Sequence, residues 1–394
     1  MKTKIFLISI LPLFHILLMY SQDNIDTILN QIEANNTTLD ALRKTAEVEK
    51  LENKTGIYLS NPEVDFGYLW GKPDPIGNRV DFSAIQSFDI PTISGMRSRL
   101  ADKQNISVEW QFRVERMNIL LEAKMLCLDL IYYNSLISEL ETRLLHAQNI
   151  ADIYEIRLSK GDTNILDNNK AQLNLTTIKG EFSRIEIERN ALLSEIIRLN
   201  GGVELTLTND EYDPKLLPPN FNEWILQAEQ MNPYLAYAKH EIEVNQALVS
   251  INKAGNLPSF TAGFISEKIA GEHFQGLQVG LTIPLWENKN RVAMAKASVS
   301  AAEARQNDGV QKFYNQIKVQ YDKALGLNTI AQDYRNLLNN SRNAELLKKA
   351  LDLGEISLLE YFTELTLFYN LVEVTLKAER DYQQAVALLY GVEL

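Results

Sequence analysis

With one cysteine in 394 residues, Cys127, the chain has no disulfide framework and no thiol pair for redox or zinc chemistry. Cys127 stands among Met125, Leu126 and Leu128 and reads as a small core residue. Histidine is scarce too: His146, His240 and His273 are far apart and form no His-x-x-x-His pair. There is no glycine-rich phosphate loop and no Gly-x-Ser-x-Gly, so no catalytic residue, cofactor or bound metal is expected. Positive charge is in deficit, with 39 Lys and Arg against 51 acids and a net charge of −12. A nucleic-acid binder would show a basic patch, and that class is excluded. Beyond residue 19 there is no run of some 18 apolar residues, so a helix is not what would hold this chain in a membrane.

At the N-terminus, Lys2 and Lys4 precede an apolar run over 5–19, followed by Ser21 and Gln22. That order is a secretory signal peptide, expected over 1–21 and removed after export. No Cys follows it, so a lipid-anchored N-terminus is not expected.

The rest of the chain is written twice. Asn36, Leu39, Pro62 and Gly67 recur at one offset as Asn232, Leu235, Pro258 and Gly263. Three residues shorter, Ile90-Pro91 recurs as Ile283-Pro284, and Gly161-Asp162-Thr163 falls on Gly354-Glu355-Ile356. The first copy, 22–200, reads as a helix over 23–59, strands over 62–71 and 79–90, and helices over 94–160 and 163–199. A linker over 201–220 follows. The second copy, 221–394, reads as a helix over 221–255, strands over 258–267 and 275–285, and helices over 288–353 and 356–391.

Apolar residues at 3- and 4-residue steps mark the helices, and no proline interrupts the stretch between Pro91 and Pro214. The helix over 163–199 carries a coiled-coil seam at Leu175, Ile178, Phe182, Ile185, Arg189, Leu192, Ile196 and Leu199. The seam returns at Phe368, Leu371, Tyr382, Ala385 and Leu389. The strands alternate. Val64, Phe66, Tyr68 and Trp70 oppose Asp65 and Gly67, and Phe82 and Phe88 oppose Asp81, Ser83 and Ser87. In the second copy Phe260, Phe264, Val279 and Leu281 take the apolar side.

Lengths set the architecture. In each copy the first and last helices laid end to end match the single long helix, about 100 Å at 1.5 Å per residue. Both strands leave one end of that rod, and the glycine turn closes the other. Four strands cannot close into a barrel, and an open edge cannot face lipid. Three chains would supply twelve strands, apolar outside and polar inside. The expected fold is mostly α with a small β part: long coiled-coil hairpins of an α-barrel beneath a trimeric 12-stranded transmembrane β-barrel. Val64, Phe66, Tyr68, Trp70, Phe82, Phe88, Phe260, Phe264, Val279 and Leu281 are its expected lipid-facing residues.

Three stretches carry a family resemblance. Asn232-Pro233-Tyr234-Leu235, Leu281-Thr282-Ile283-Pro284-Leu285-Trp286 and Leu353-Gly354-Glu355-Ile356-Ser357-Leu358-Leu359-Glu360 resemble the barrel approach, strand exit and closed-end turn of the TolC family of outer-membrane efflux channels. Asn61-Pro62-Glu63-Val64 and the segment 86–91 look most like the branch serving heavy-metal cation pumps. The resemblance implies a homotrimer in outer-membrane lipid, a periplasmic tunnel, a periplasmic adaptor and an inner-membrane transporter of the RND type. It also implies passive conduction of small molecules or metal cations. The exit duct of a type I protein secretion system, and a periplasmic coiled-coil scaffold without a pore, remain the alternatives.

Pro62, Pro91, Pro258 and Pro284 stand where helix meets strand and are the expected barrel-to-helix hinges. Gly161, Asp162, Thr163 and Asp167, with Gly354, Glu355, Ile356, Ser357 and Glu360, are the expected tunnel entrance and partner-docking residues. Tripled by symmetry, their carboxylates would favour cations. In the resemblance Glu360 occupies the place of an entrance aspartate, while Thr363 stands where a second acid is usual.

Overall fold

The computed structural model describes residues 24–73, 76–88, 91–213, 215–340 and 343–394. The expected signal peptide over 1–21 lies outside the described residues. Helix α1, Ile25–Asn35, opens on Asn24, whose side chain accepts from Thr27 N at 2.9 Å. Helix α2 is Thr37–Asn53. The single helix expected over 23–59 is therefore two, and Asn36 is the reason. Its backbone N–H closes α1 on Ile32 O at 2.8 Å, while its side chain opens α2 by accepting from Leu39 N at 2.8 Å. The same side chain donates to Leu199 O at 2.8 Å.

The second copy repeats the joint. Helix α5, Phe221–Met231, ends and α6, Pro233–Ala254, begins at Asn232, which accepts from Leu235 N at 3.1 Å. The expected helix over 221–255 is corrected in the same way. A buried Asn cap satisfies orphan amides at the break, worth about 1 kcal/mol, and Pro233 is suited to a first helical position.

Helix α3, Pro91–Lys160, runs 70 residues without interruption, about 105 Å at 1.5 Å per residue. Helix α4, Ile165–Leu199, returns along its lower half. Every residue of the predicted α4 seam is buried or half-buried; its one polar member, Arg189, donates to the buried Asn134 Oδ1 at 2.6 Å. Of the helix expected over 288–353, Arg291–Asn340 (α7) and Asn343–Asp352 (α8) are helical. Residues 341–342 between them lie outside the described residues. Helix α9, Leu358–Leu389, ends in a 3₁₀ turn, Tyr390–Glu393.

The linker over 201–220 is a strap with no helix or strand among its described residues, gripped largely by its main chain. Asn134 Nδ2 donates to Leu207 O and Asn209 O, and the hydroxyls of Tyr321, Tyr382 and Tyr390 donate to Pro218 O, Lys215 O and Leu216 O. Leu205 and Leu207 are buried with α1, α3 and α4 in one apolar core.

Strands β1, Glu63–Leu69, β2, Arg79–Phe88, β3, Ser259–Ile269, and β4, Glu272–Thr282, form one antiparallel sheet in chain order. The second hairpin is longer at its tip than the expected 258–267 and 275–285. Ala270 and Gly271, both at positive φ, make a two-residue turn that lets pairing continue to Ile269 and Glu272. Trp70 lies one residue beyond β1, its ring edge-on to Tyr68 at 5.5 Å.

Around this sheet the helices keep the same order. Helices α2 and α4 pack on α3, α3 packs on α6 and α9, and those pack on α7. Sheet and helix layer therefore share a sequence of elements and share two free sides. One side is β1, α2 and α4; the other is β4 and α7. Both helical sides expose apolar residues: Val48, Leu51, Leu166, Leu173 and Ile187 on the first, Met294, Val319 and Ile330 on the second.

One ion pair fastens α1 to α3. Arg116 reaches both Glu33 oxygens at 2.6 Å and also donates to Leu394 O. The hydrogen bond from Arg116 holds the Glu33 carboxyl below its usual range. A depressed carboxylate stabilises the fold above its unfolded pKa, and that contribution is lost as pH falls through the folded value. Glu33→Gln is thus expected to flatten the fall in urea midpoint between about pH 5 and about pH 3; an unchanged slope would remove this pair from acid stability.

Candidate functional site

The two glycine turns lie at the end of the rod away from the sheet, and they are built alike. Gly161 has φ 78° and Gly354 φ 73°, where only glycine is free of strain. Asp162 N donates to Arg157 O at 2.8 Å, and Glu355 N donates to Ala350 O at 2.9 Å, each closing the last turn of a helix in a Schellman arrangement. Thr163 and Asn164 lead into α4, and Ile356 and Ser357 lead into α9.

Both opening caps take an acid three residues in, by different chemistry. Asn164 accepts from Asp167 N at 2.9 Å and donates to the Asp167 carboxylate at 2.9 Å, with Lys170 3.0 Å away. Ser357 accepts from Glu360 N at 3.2 Å, and Glu360 accepts from Ser357 N at 2.8 Å, a reciprocal capping box. Lys170 holds Asp167 below the usual carboxylate range, and the Ser357 amide and hydroxyl do the same for Glu360. Each acid therefore also has a cap to hold.

Behind the turns a common core forms. Ala147, Ile150, Ala151 and Tyr154 of α3 meet Ala171 and Leu175 of α4 and Leu358, Tyr361 and Leu365 of α9, with Ile356 and Leu351 at its margin. Sequence reasoning passed over Tyr361, which is 0 % exposed and whose hydroxyl has no hydrogen-bond partner among the described residues. Higher up, Arg143 of α3 is 3 % exposed. It donates to Glu373 at 2.8 Å, to Tyr369 O at 3.2 Å and to Glu139 at 3.3 Å, and lies 4.1 Å over the Tyr369 ring. The sequence signal for it was faint, one arginine on an otherwise apolar face. Among the described residues no group of three or more His, Cys, Asp or Glu is placed to hold a metal.

At the opposite end the register sorts the strands into two faces. Cross-strand partners share a face, and the pairs Val64–Ala84, Phe66–Phe82 and Tyr68–Val80 join Phe88–Phe260, Phe264–Leu277, Ala262–Val279 and Phe260–Leu281. All the strand residues predicted to face lipid fall on this one side. Val279 is 79 % and Leu277 87 % exposed. The other side carries Asp65, Asp81, Ser83, Arg79 and Glu267, with Arg79 2.7 Å from Asp81 and 3.1 Å from Glu267. Pro62 and Pro258 each stand one residue before a strand, Pro284 two after β4, and Pro91 is the first residue of α3.

No family model matches the chain, and no curated protein matches it. Solved structures do. The CmeC outer membrane channel of Campylobacter jejuni superposes with a TM-score of 0.73 at 14% identity, over 94% of this chain and 85% of that one. The open-state MtrE outer membrane channel of Neisseria gonorrhoeae gives 0.75 at 12%, over 93% and 88%. CusC gives 0.71 at 14%, over 93% and 91%, so the heavy-metal branch is not singled out. A mostly helical chain with a small four-stranded antiparallel sheet, arranged as in these structures, has the fold of the TolC-type outer-membrane channels.

Proposed function

We propose that three copies of this chain close into an outer-membrane exit duct of an efflux system. The observation that carries the reading is the sheet. Its β1 and β4 edges are free, one face is mainly apolar and exposed, interrupted by Gln86 and by Ser266, Lys268, His273 and Gln275 towards the β3–β4 tip, and the helix layer beneath is open on the same two sides. An isolated sheet of this kind exposes unpaired backbone to lipid, whereas three copies pair every edge. A periplasmic scaffold has no use for such a face, so the pore is preferred.

In this reading Val64, Phe66, Tyr68, Trp70, Phe82, Phe88, Phe260, Phe264, Val279 and Leu281 meet lipid, and the four prolines redirect the chain between barrel and helices. The turn end is the periplasmic mouth, where an adaptor docks and an RND-type inner-membrane transporter delivers small molecules or metal cations. The chain does no chemistry on its cargo; conduction follows from helix pairs parting at the mouth. Asp167 and Glu360, repeated around the threefold axis, give that mouth a preference for cations.

The test is reconstitution. Detergent-extracted protein should run as a heat-modifiable trimer and conduct in planar bilayers with cation selectivity. Asp167→Asn with Glu360→Gln should move the reversal potential towards neutrality, because Gln still fits a capping box while its charge is gone. A protein that stays soluble and monomeric without detergent sinks the duct. Selectivity unchanged in the double variant sinks the acidic mouth alone.

A further inference from the structure

An open cavity of about 1020 Å³ lies where the sheet meets the helices. Its upper wall is Phe88 and Phe260, partners across β2 and β3 on the exposed apolar face. Ile57, Tyr58 and Leu59, after α2, form one side. Ser94, Ser98, Ala101 and Asp102 descend one face of α3 at helical steps, and Lys54 closes the far end. The vertical order is fixed by the antiparallel contact of the two helices, with Asn53 Nδ2 donating to Asn105 Oδ1 at 3.0 Å and Lys50 paired with Glu109 further down.

The lining is thus graded. Aromatic carbon stands at the sheet, hydroxyls stand in the middle, and one cation and one anion stand on the helix side. Neither Lys54 Nζ nor the Asp102 carboxylate makes an ion pair among the described residues. A volume of this size accommodates a polar headgroup and part of one hydrocarbon chain.

We propose that this cavity binds a zwitterionic diacyl phospholipid of the leaflet facing the periplasm, a site that rests on the membrane reading above. The phosphate meets Lys54 and the Ser98 hydroxyl, the headgroup ammonium meets Asp102, and one acyl chain lies along Phe88 and Phe260. Orientation and charge both argue for it. A lipid of that leaflet points its chains toward the sheet and its headgroup toward the helices, the direction of the gradient. Lys54 and Asp102 complement a headgroup bearing both signs better than an anionic one. A second copy is the weaker occupant. The upper wall comes from the central strands β2 and β3 and the inner side from α3, and only the segment after α2, Lys54 and Ile57 to Leu59, belongs to a free side.

Native mass spectrometry of the trimer in dodecyl maltoside, titrated with dioleoylphosphatidylethanolamine or dioleoylphosphatidylglycerol, tests the site. The ethanolamine lipid is expected to remain at one per protomer after activation. Lys54→Gln should weaken both lipids at least tenfold, and Asp102→Asn should abolish the preference for ethanolamine. Equal retention in wild type and both variants overturns the proposal, as does retention of detergent only. A photo-crosslinker at Ser98 that captures a second copy in place of lipid overturns it too. Conductance is recorded on the same preparations: pores without bound lipid remove the site alone, and absence of pores removes the duct on which it rests.

Discussion

Val279→Arg is expected to clear the protein from the outer-membrane fraction, while Gln278→Arg beside it leaves trimers at their normal level. The two positions are neighbours on β4 and point to opposite faces, Val279 beside Ala262 and Gln278 beside Gly263. An arginine on the lipid face of a barrel costs about 2–4 kcal/mol near the bilayer midplane. A trimer carries that cost three times, about 6–12 kcal/mol, which rivals the whole stability of a typical domain. An arginine on the polar face enters a surface that already holds Arg79, Asp81 and Glu267. Membrane fractionation with unboiled gel mobility reads both variants. Equal, unchanged trimer levels would mean that the apolar face is not in contact with lipid.

The second large effect concerns Arg143, with the less intuitive order of damage. Glu373→Ala is expected to destabilise the helical region more than Arg143→Met does. Removing the acid leaves a buried guanidinium short of its main partner, and breaking a buried pair costs about 3–5 kcal/mol. Glu139 at 3.3 Å and the partial exposure of Glu373 reduce that to about 2 kcal/mol. Methionine in place of Arg143 removes the charge, keeps most of the volume, and frees Glu373 into solvent. Its loss is the hydrogen bond to Tyr369 O and the contact with the ring, about 1 kcal/mol. Urea unfolding followed by far-UV circular dichroism measures the order; Arg143→Met as the worse variant would show that the ion pair, not the buried charge, is what counts.

Much of the fold was open to reading because its signals are local and repeated. The α4 seam, the two glycine turns and the alternation of β1 to β4 each depend on residues a few positions apart, and each has a counterpart in the other copy. The break at Asn36 escaped because asparagine is tolerated inside helices, whereas the break at Asn232 was legible in Pro233, which suits a first helical turn and not a helix interior, and was passed over. Only the pairing of Asn36 with Leu199 O, 163 positions away, shows why the helix bends there. The extra length of the β3–β4 hairpin escaped because an Ala-Gly turn at positive φ is rarer than Asn-Gly.

The candidate site divides in the same way. Glycine and proline positions were legible from backbone rules alone. The double duty of Asp167 and Glu360 as caps was written just as locally, in Asn164 and Ser357 three residues earlier, but sequence reasoning passed over it. Tyr361 and Arg143 owe their importance to burial between helices distant in sequence, which no local pattern reports.

The strap over 201–220 is held through its own carbonyls, by phenols and amides belonging to the rods it crosses. Backbone oxygen is the same whatever the residue that carries it. Apart from Leu205, Leu207, Leu217 and Pro218, packed against the helices, and Tyr212 and Lys215, whose side chains reach Leu128 O and Glu393, the waist can therefore change its outward chemistry over generations, meeting different neighbours, without disturbing the pillars that hold it.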